Sequence, residues 1–219
     1  MLNVEQIPVG PYQANAYVLW DPESAPGETA LVDAGAEAER LLAALAARGP
    51  KVTAILQTHA HGDHIAALDD VVAATGAPVF LHPDAEPMLR SAEENLSAFV
   101  GVPIEARAEV RPVRGGDEVP VLGRKARVLE TPGHAAGSVS WHFPDDGVVF
   151  TGDALFAGSI GRTDFPGGSL GILLGGIRDR LLTLPDETIV YSGHMGPTTI
   201  GRERSGNPFL QHFDSGDAR

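Results

Sequence analysis

Short apolar runs of strand length alternate with stretches of helical period along this chain. "AYVLW" (residues 16–20) and "TALVDAG" (29–35), bounded by Pro and Gly, predict strands. "AEAERLLAALAARG" (36–49) gathers Leu41, Leu42 and Leu45 on one face and predicts a helix stopped by Gly49–Pro50. "KVTAILQT" (51–58) predicts a buried strand. "DHIAALDDVVAATG" (63–76) predicts a helix with Ile65, Leu68 and Val72 inward and Gly76 at its end. "APVFLH" (77–82) predicts another strand, and residues 84–100 a further helix.

The second half is richer in strands. "RKARVLET" (124–131), "SVSWHF" (138–143) and "GVVFTG" (147–152) follow in quick succession. "SLGILLGGIRDRLLTL" (169–184) predicts a glycine-weakened helix, "ETIVYSG" (187–193) a last strand, and the tail after Phe213 a frayed end. No low-complexity linker divides the chain, so residues 1–219 are expected to form one domain. Its mixed halves predict sheets packed together with helices outside, an α/β layered sandwich.

The polar residues fall where strands end. "TAILQT" runs into His59, His61, Asp63 and His64; "ARVLETPG" into His134; "GVVFTG" into Asp153; "ETIVYSG" into His194. Ligand sites in α/β sheets gather at the carboxyl ends of strands. If these strands lie side by side, five histidines and two aspartates converge. His82, His142 and His212 stand elsewhere and are assigned no metal role: two as strand residues, the last as terminal surface.

Composition narrows the chemistry. With no cysteine, disulfides, thiolate ligands and a cysteine nucleophile are excluded. A net charge of −13 disfavours nucleic acid and anionic membrane as partners. Neither a basic-then-apolar leader nor a long apolar run occurs, so the expected location is the cytoplasm, away from membranes. Neutral His with ionised Asp suits Zn(II), Fe(II) or Mn(II). Seven donors exceed the ~4 of one tetrahedral zinc and fit two ions ~3.5–4 Å apart that share a carboxylate. Ala60 and Gly62 are expected to keep the loop clear of metal and substrate. The helix opening at Asp63 is expected to keep His64 neutral.

"THAHGDH", followed by the histidine of "TPGHAAGS", the aspartate of "FTGDALF" and the histidine of "YSGHMGPTT", resembles the metallo-β-lactamase superfamily, in order and over nearly the whole chain. "LFAGSIGRTDFPGGS" and "TTIGRERSGNPFL" are similar to the short glyoxalase II-like hydrolases of the hydroxyacylglutathione hydrolase type, which lack a C-terminal helical substrate domain. The resemblance implies a four-layered αββα sandwich. It implies that His59, His61 and His134 hold one metal, Asp63, His64 and His194 a second, and that Asp153 bridges them, with Asp33 orienting ligands behind.

The expected chemistry is hydrolysis by a metal-bridging hydroxide, with Asp63 and Asp153 as the candidate catalytic carboxylates. A thiolate leaving group, with a solution pKa near ~8.5, needs no dedicated acid, which favours a thioester, and the resemblance implies one of glutathione type. Arg162, Arg202 or Arg204 would meet the glutathione carboxylates, and Tyr12 or Tyr191 would add contacts. The rivals are a mononuclear-iron persulfide dioxygenase using His59, His134 and Asp153, and a metallo-hydrolase of another ester or lactone class. The oligomeric state is left open.

Overall fold

The computed structural model describes residues 1–211. His212 and the tail after Phe213 lie outside the described residues. In chain order the first half contains β1 (Asn3–Val9), β2 (Ala14–Trp20), β3 (Glu28–Val32), α1 (Ala38–Arg48), β4 (Lys51–Leu56), α2 (Gly62–Ile65), α3 (Leu68–Thr75), β5 (Val79–Leu81), α4 (Glu86–Arg90) and β6 (Val110–Pro112). The second contains β7 (Glu118–Val121), β8 (Arg124–Glu130), β9 (Val139–Phe143), β10 (Val148–Gly152), β11 (Leu155–Phe156), β12 (Ser159–Ile160), α5 (Leu170–Gly176), β13 (Ile189–Ser192), β14 (Thr198–Thr199) and α6 (Ile200–Gly206).

The strands form two six-stranded sheets, β1-β2-β3-β4-β5-β6 and β14-β13-β10-β9-β8-β7, with β11 and β12 as a separate pair. Side chains alternate across a strand, so each central strand serves two cores. Ala16 and Val18 of β2, Leu31 of β3 and Ile55 of β4 pack under α1 and α3 with Leu41, Leu45, Leu68 and Val71. Their neighbours Tyr17, Leu19, Val32 and Leu56 face the other sheet and meet Val128, Trp141, Phe143 and Phe150. On that sheet's far side, Val149 and Val190 pack against Leu173, Ile177 and Leu181. Three apolar layers thus separate four layers of structure, and the expected αββα sandwich is the observed one.

Strand direction puts the chemistry on one edge. β3 and β4 are parallel, as are β10 and β13; β8 is antiparallel to β9, which is antiparallel to β10, so β8 runs with β10. Hydrogen bonds between the sheets lock their carboxyl ends together. Trp141 Nε1–H donates to Gln57 O at 3.0 Å and Tyr17 Oη–H to Ser192 O at 2.6 Å. The Asn15 N–H donates to Gly193 O at 2.7 Å.

Two expected helices are interrupted. The 63–76 helix breaks after Ile65 because the Ala67 N–H donates to Ala34 O. The 84–100 helix shrinks to α4, flanked by single 3₁₀ turns: Ser91 is extended, and Leu96 is left-handed at φ 68°. Asn95 holds this irregular segment in place by donating to Met88 O at 3.0 Å and Ile104 O at 2.8 Å. Downstream, α5 runs directly into a π-type turn, Ile177–Leu181. Among the described residues no helix is long and apolar enough to cross a membrane.

Candidate metal centre

All seven strand-end residues meet at this edge. Ligand atoms of His59, His61 and His134 lie within 4.8 Å of one another, and so do those of Asp63, His64 and His194. Asp153 lies between the two groups. Its Oδ2 is 3.5 Å from His134 Nε2 and 3.4 Å from His194 Nε2, and its Oδ1 is 3.5 Å from His64 Nε2. Asp63 Oδ2 is 3.4 Å from His194 Nε2. A carboxylate facing both triads is the arrangement a shared ligand requires.

The hydrogen bonds behind the rings fix which nitrogen faces inward. His134 Nδ1–H donates to Arg162 O at 2.8 Å and His194 Nδ1–H to Tyr12 O at 3.2 Å, since a carbonyl only accepts. Each ring therefore turns its Nε2 toward the cluster, where His134 Nε2 meets His61 Nδ1 at 2.9 Å. Asp33 organises the other side. Its Oδ1 accepts the Thr58 N–H at 2.7 Å, and its Oδ2 accepts the Thr58 hydroxyl at 2.7 Å and His64 Nδ1–H at 2.9 Å. Having given its proton to Asp33, the Thr58 oxygen accepts from His59 Nδ1–H at 3.1 Å. One carboxylate thus sets the tautomers of His59 and His64, directly for one and through a hydroxyl for the other. Ligand atoms of Asp33, His59 and His64 also lie within 4.8 Å of one another. Both Asp33 oxygens are already accepting, three bonds in all, a role that holds neighbouring side chains in place.

Burial and neighbouring charge divide the histidines. Burial pushes His59 well below the usual imidazole range and lowers His61 to about 3, which keeps both neutral and ready to coordinate. His64 is the opposite case. Burial works against its charge, but Asp63, Asp153 and Asp33 outweigh it and hold the ring well above its ordinary value. This corrects the expectation that the helix start would keep His64 neutral: α2 is four residues long, and three carboxylates overrule its dipole. His194 is likewise pushed up to about 9, its burial offset by Asp153 and Asp63. Burial alone would raise Asp153, yet His64 and His194 hold it well below the carboxylate range.

The cluster fits metal. His59 Nε2, His64 Nε2 and Asp153 Oδ1 are buried with no hydrogen-bond partner. Such atoms are costly unless something binds them, and two divalent cations, one on each triad, would satisfy all three. Gly193 keeps the space clear, because a Cβ there would collide with Asp153 Oδ1 and stand 2.8 Å from the His64 ring. Gly62 serves another purpose than expected: a Cβ would meet Ser97 Cβ at 2.8 Å, so its smallness seats the 95–104 segment on the loop.

The residues expected at the substrate are more scattered. Arg162 is at the site, its carbonyl bonded to His134, but its guanidinium is bound to Asp164 at 3.0 and 2.7 Å and lies over Phe165. Tyr191 stacks on Phe150 at 5.2 Å and meets the edge of Tyr17, a role in the core between the sheets. Arg202 and Arg204 are not brought to the cluster. β14 pairs Thr199 with Ile189, at the opposite end of β13 from His194, and α6 starts there; Arg204 bonds Leu182 O and Leu184 O. His82 caps the 3₁₀ turn Pro83–Ala85 and reaches Glu130 at 3.2 Å, and His142 is buried within β9. Thr58 was not singled out by sequence; its signal is a hydroxyl immediately before a strand-end histidine.

A model of the metallo-beta-lactamase superfamily matches residues 9–194, a span containing every residue of the cluster. The chain belongs to the metallo-β-lactamase superfamily. Within that superfamily it is 40% identical over 209 residues to the probable metallo-hydrolase YqgX of Bacillus subtilis, covering 95% of this chain and 97% of that protein. It is 36% identical over 211 residues to the hydroxyacylglutathione hydrolase GloC of Haemophilus influenzae, covering 95% and 98%. Two solved metallo-β-lactamase folds are similar throughout. The BLEG-1 B3 metallo-beta-lactamase matches with TM-score 0.89 and 40% identity over 96% of this chain and 100% of that one. TTHA1623 in a di-iron-bound form matches with TM-score 0.83 and 38% identity over 94% and 100%.

Proposed function

We propose that this protein is a two-metal hydrolase that cleaves thioesters. The observation that carries the reading is the set of three buried, unpartnered donor atoms, together with Asp153 turned toward both triads. In this assignment His59, His61 and His134 hold one divalent ion, Asp63, His64 and His194 the other, and Asp153 both. When bound, such a pair supplies hydroxide at neutral pH and polarises a carbonyl.

The chain's own part is positional. Asp33 and Thr58 orient His59 and His64, while the carbonyls of Arg162 and Tyr12 orient His134 and His194. Asp63 and Asp153 hold charge at the centre, since both stay ionised. Every titratable member of the cluster is then a ligand, and no separate acid remains to protonate a leaving group. An amide nitrogen needs such an acid, whereas a thiolate departs without one. Similarity to a hydroxyacylglutathione hydrolase supports the thioester and a glutathione-type thiol.

The test is hydrolysis of S-lactoylglutathione by metal-loaded protein, with a β-lactam as the amide control. Turnover of the thioester alone supports the reading. A second reading, a mononuclear-iron dioxygenase on His59, His134 and Asp153, draws on the 3.5 Å approach of His134 to Asp153. Oxygen uptake on glutathione persulfide with one iron per chain would establish it and remove the first.

A further inference from the structure

Most exposed large apolar side chains lie on segments tied to the metal-cluster loops. Of the ten large ones exposed among the described residues, seven lie on segments bonded or joined to the ligand loops. Tyr12 is 51% exposed, and its carbonyl accepts from His194; Met195 follows that histidine in sequence. Three more, including Phe99 at 74%, lie at 99–102, in the segment whose Asn95 O accepts the Gly62 N–H. Leu170 and Ile172 follow Ser169, whose N–H donates to Gly133 O beside His134. Two less exposed rings approach the ligands themselves, Phe165 at 6.0 Å from His61 and Phe156 at 6.2 Å from His194. The base at this position, Arg162, is already neutralised by Asp164. Clustered exposed apolar groups mark a binding surface, and here they sit on the segments that are bonded or joined to the ligand loops.

We infer that this rim receives the acyl group of the substrate, and that the preferred substrates are thioesters of uncharged, apolar acyl chains. The inference rests on the thioesterase reading and deepens it. In the reaction the acyl carbon gains a C–O bond from water and loses its C–S bond. The products are a carboxylate, a thiol and one proton, with no redox partner required. A hydrocarbon chain suits an acidic protein whose mouth holds an already paired arginine, and an anionic chain does not.

The experiment is a series of N-acetylcysteamine thioesters from acetyl to octanoyl, assayed on metal-loaded protein beside S-lactoylglutathione. Full burial of a methylene is worth about fourfold, so a partly open rim should raise kcat/KM about twofold per methylene. The combined variant Phe99→Ser, Leu170→Ser, Ile172→Ser should flatten that slope. Cleavage without chain-length dependence, or a slope unchanged in the variant, overturns the inference and leaves the thioesterase reading standing. A dimer in light scattering together with a flat slope overturns it in favour of a second copy covering the rim. If no thioester is cleaved, the thioesterase reading fails, and product binding decides the rim: octanoate bound at least tenfold tighter than acetate, and lost in the variant, supports it, while equal binding overturns it.

Discussion

Asp33 accepts the ring proton of His64 at 2.9 Å with the same oxygen that accepts the Thr58 hydroxyl. Because that hydroxyl in turn receives His59 Nδ1–H, one carboxylate orients a ligand in each triad. Supporting groups of this kind are worth roughly 10–100-fold in metal affinity. Thr58→Val should therefore weaken the ion on His59, His61 and His134 by about tenfold and spare the other. Asp33→Asn should weaken both, and the asparagine tolerates the left-handed φ of 55° found there. Metal titration by calorimetry checks both variants, and equal effects on the two ions in Thr58→Val would refute the relay.

Asp153→Ala removes the one carboxylate that faces both triads. Its expected result is loss of the second ion, at least tenfold lower occupancy, and loss of most activity with the fold intact. Elemental analysis beside circular dichroism measures this. Retention of both ions at full rate would show that the bridging assignment is wrong.

Metal uptake should depend on pH in a fixed direction. With its pKa near 9, His194 carries a proton at neutral pH in metal-free protein, and His64, held above its ordinary value, does too. A cation must displace these protons. Apparent affinity for the ion on Asp63, His64 and His194 should rise with pH, through about 9 where His194 loses its proton. The ion on His59 and His61, both already neutral, should show a shallower dependence down to mildly acidic pH. Proton release in weakly buffered titrations reads the difference directly.

Arg162→Ala tests whether a cation anchors a glutathione carboxylate. The guanidinium is exposed and committed to Asp164, and exposed pairs contribute little. KM for S-lactoylglutathione should change by less than about threefold. A tenfold rise would return Arg162 to the substrate site.

Much of this was legible in the sequence because the strand ends carry it. Apolar runs stopping at His59, His134, Asp153 and His194 marked both the strands and the candidate metal ligands, and all seven residues converge. The edge strand β1 was not foreseen: "NVEQIPV" is weakly apolar, and its Pro8 is tolerated only because β1 pairs on one side. The broken helix at 84–100 was also hidden, because Asn95 serves the Gly62 loop, a tertiary demand that local propensity does not record. The placing of Arg202 at the far end of β13 depends on the reversal into β14, a two-residue strand with no period to read.

Metal content of the purified protein, measured with S-lactoylglutathione hydrolysis on the same sample, tests the central claim most directly. The account predicts two divalent ions per chain and thioester turnover that falls as either ion is stripped. One iron per chain, with oxygen consumed on glutathione persulfide and no thioester cleaved, would contradict it.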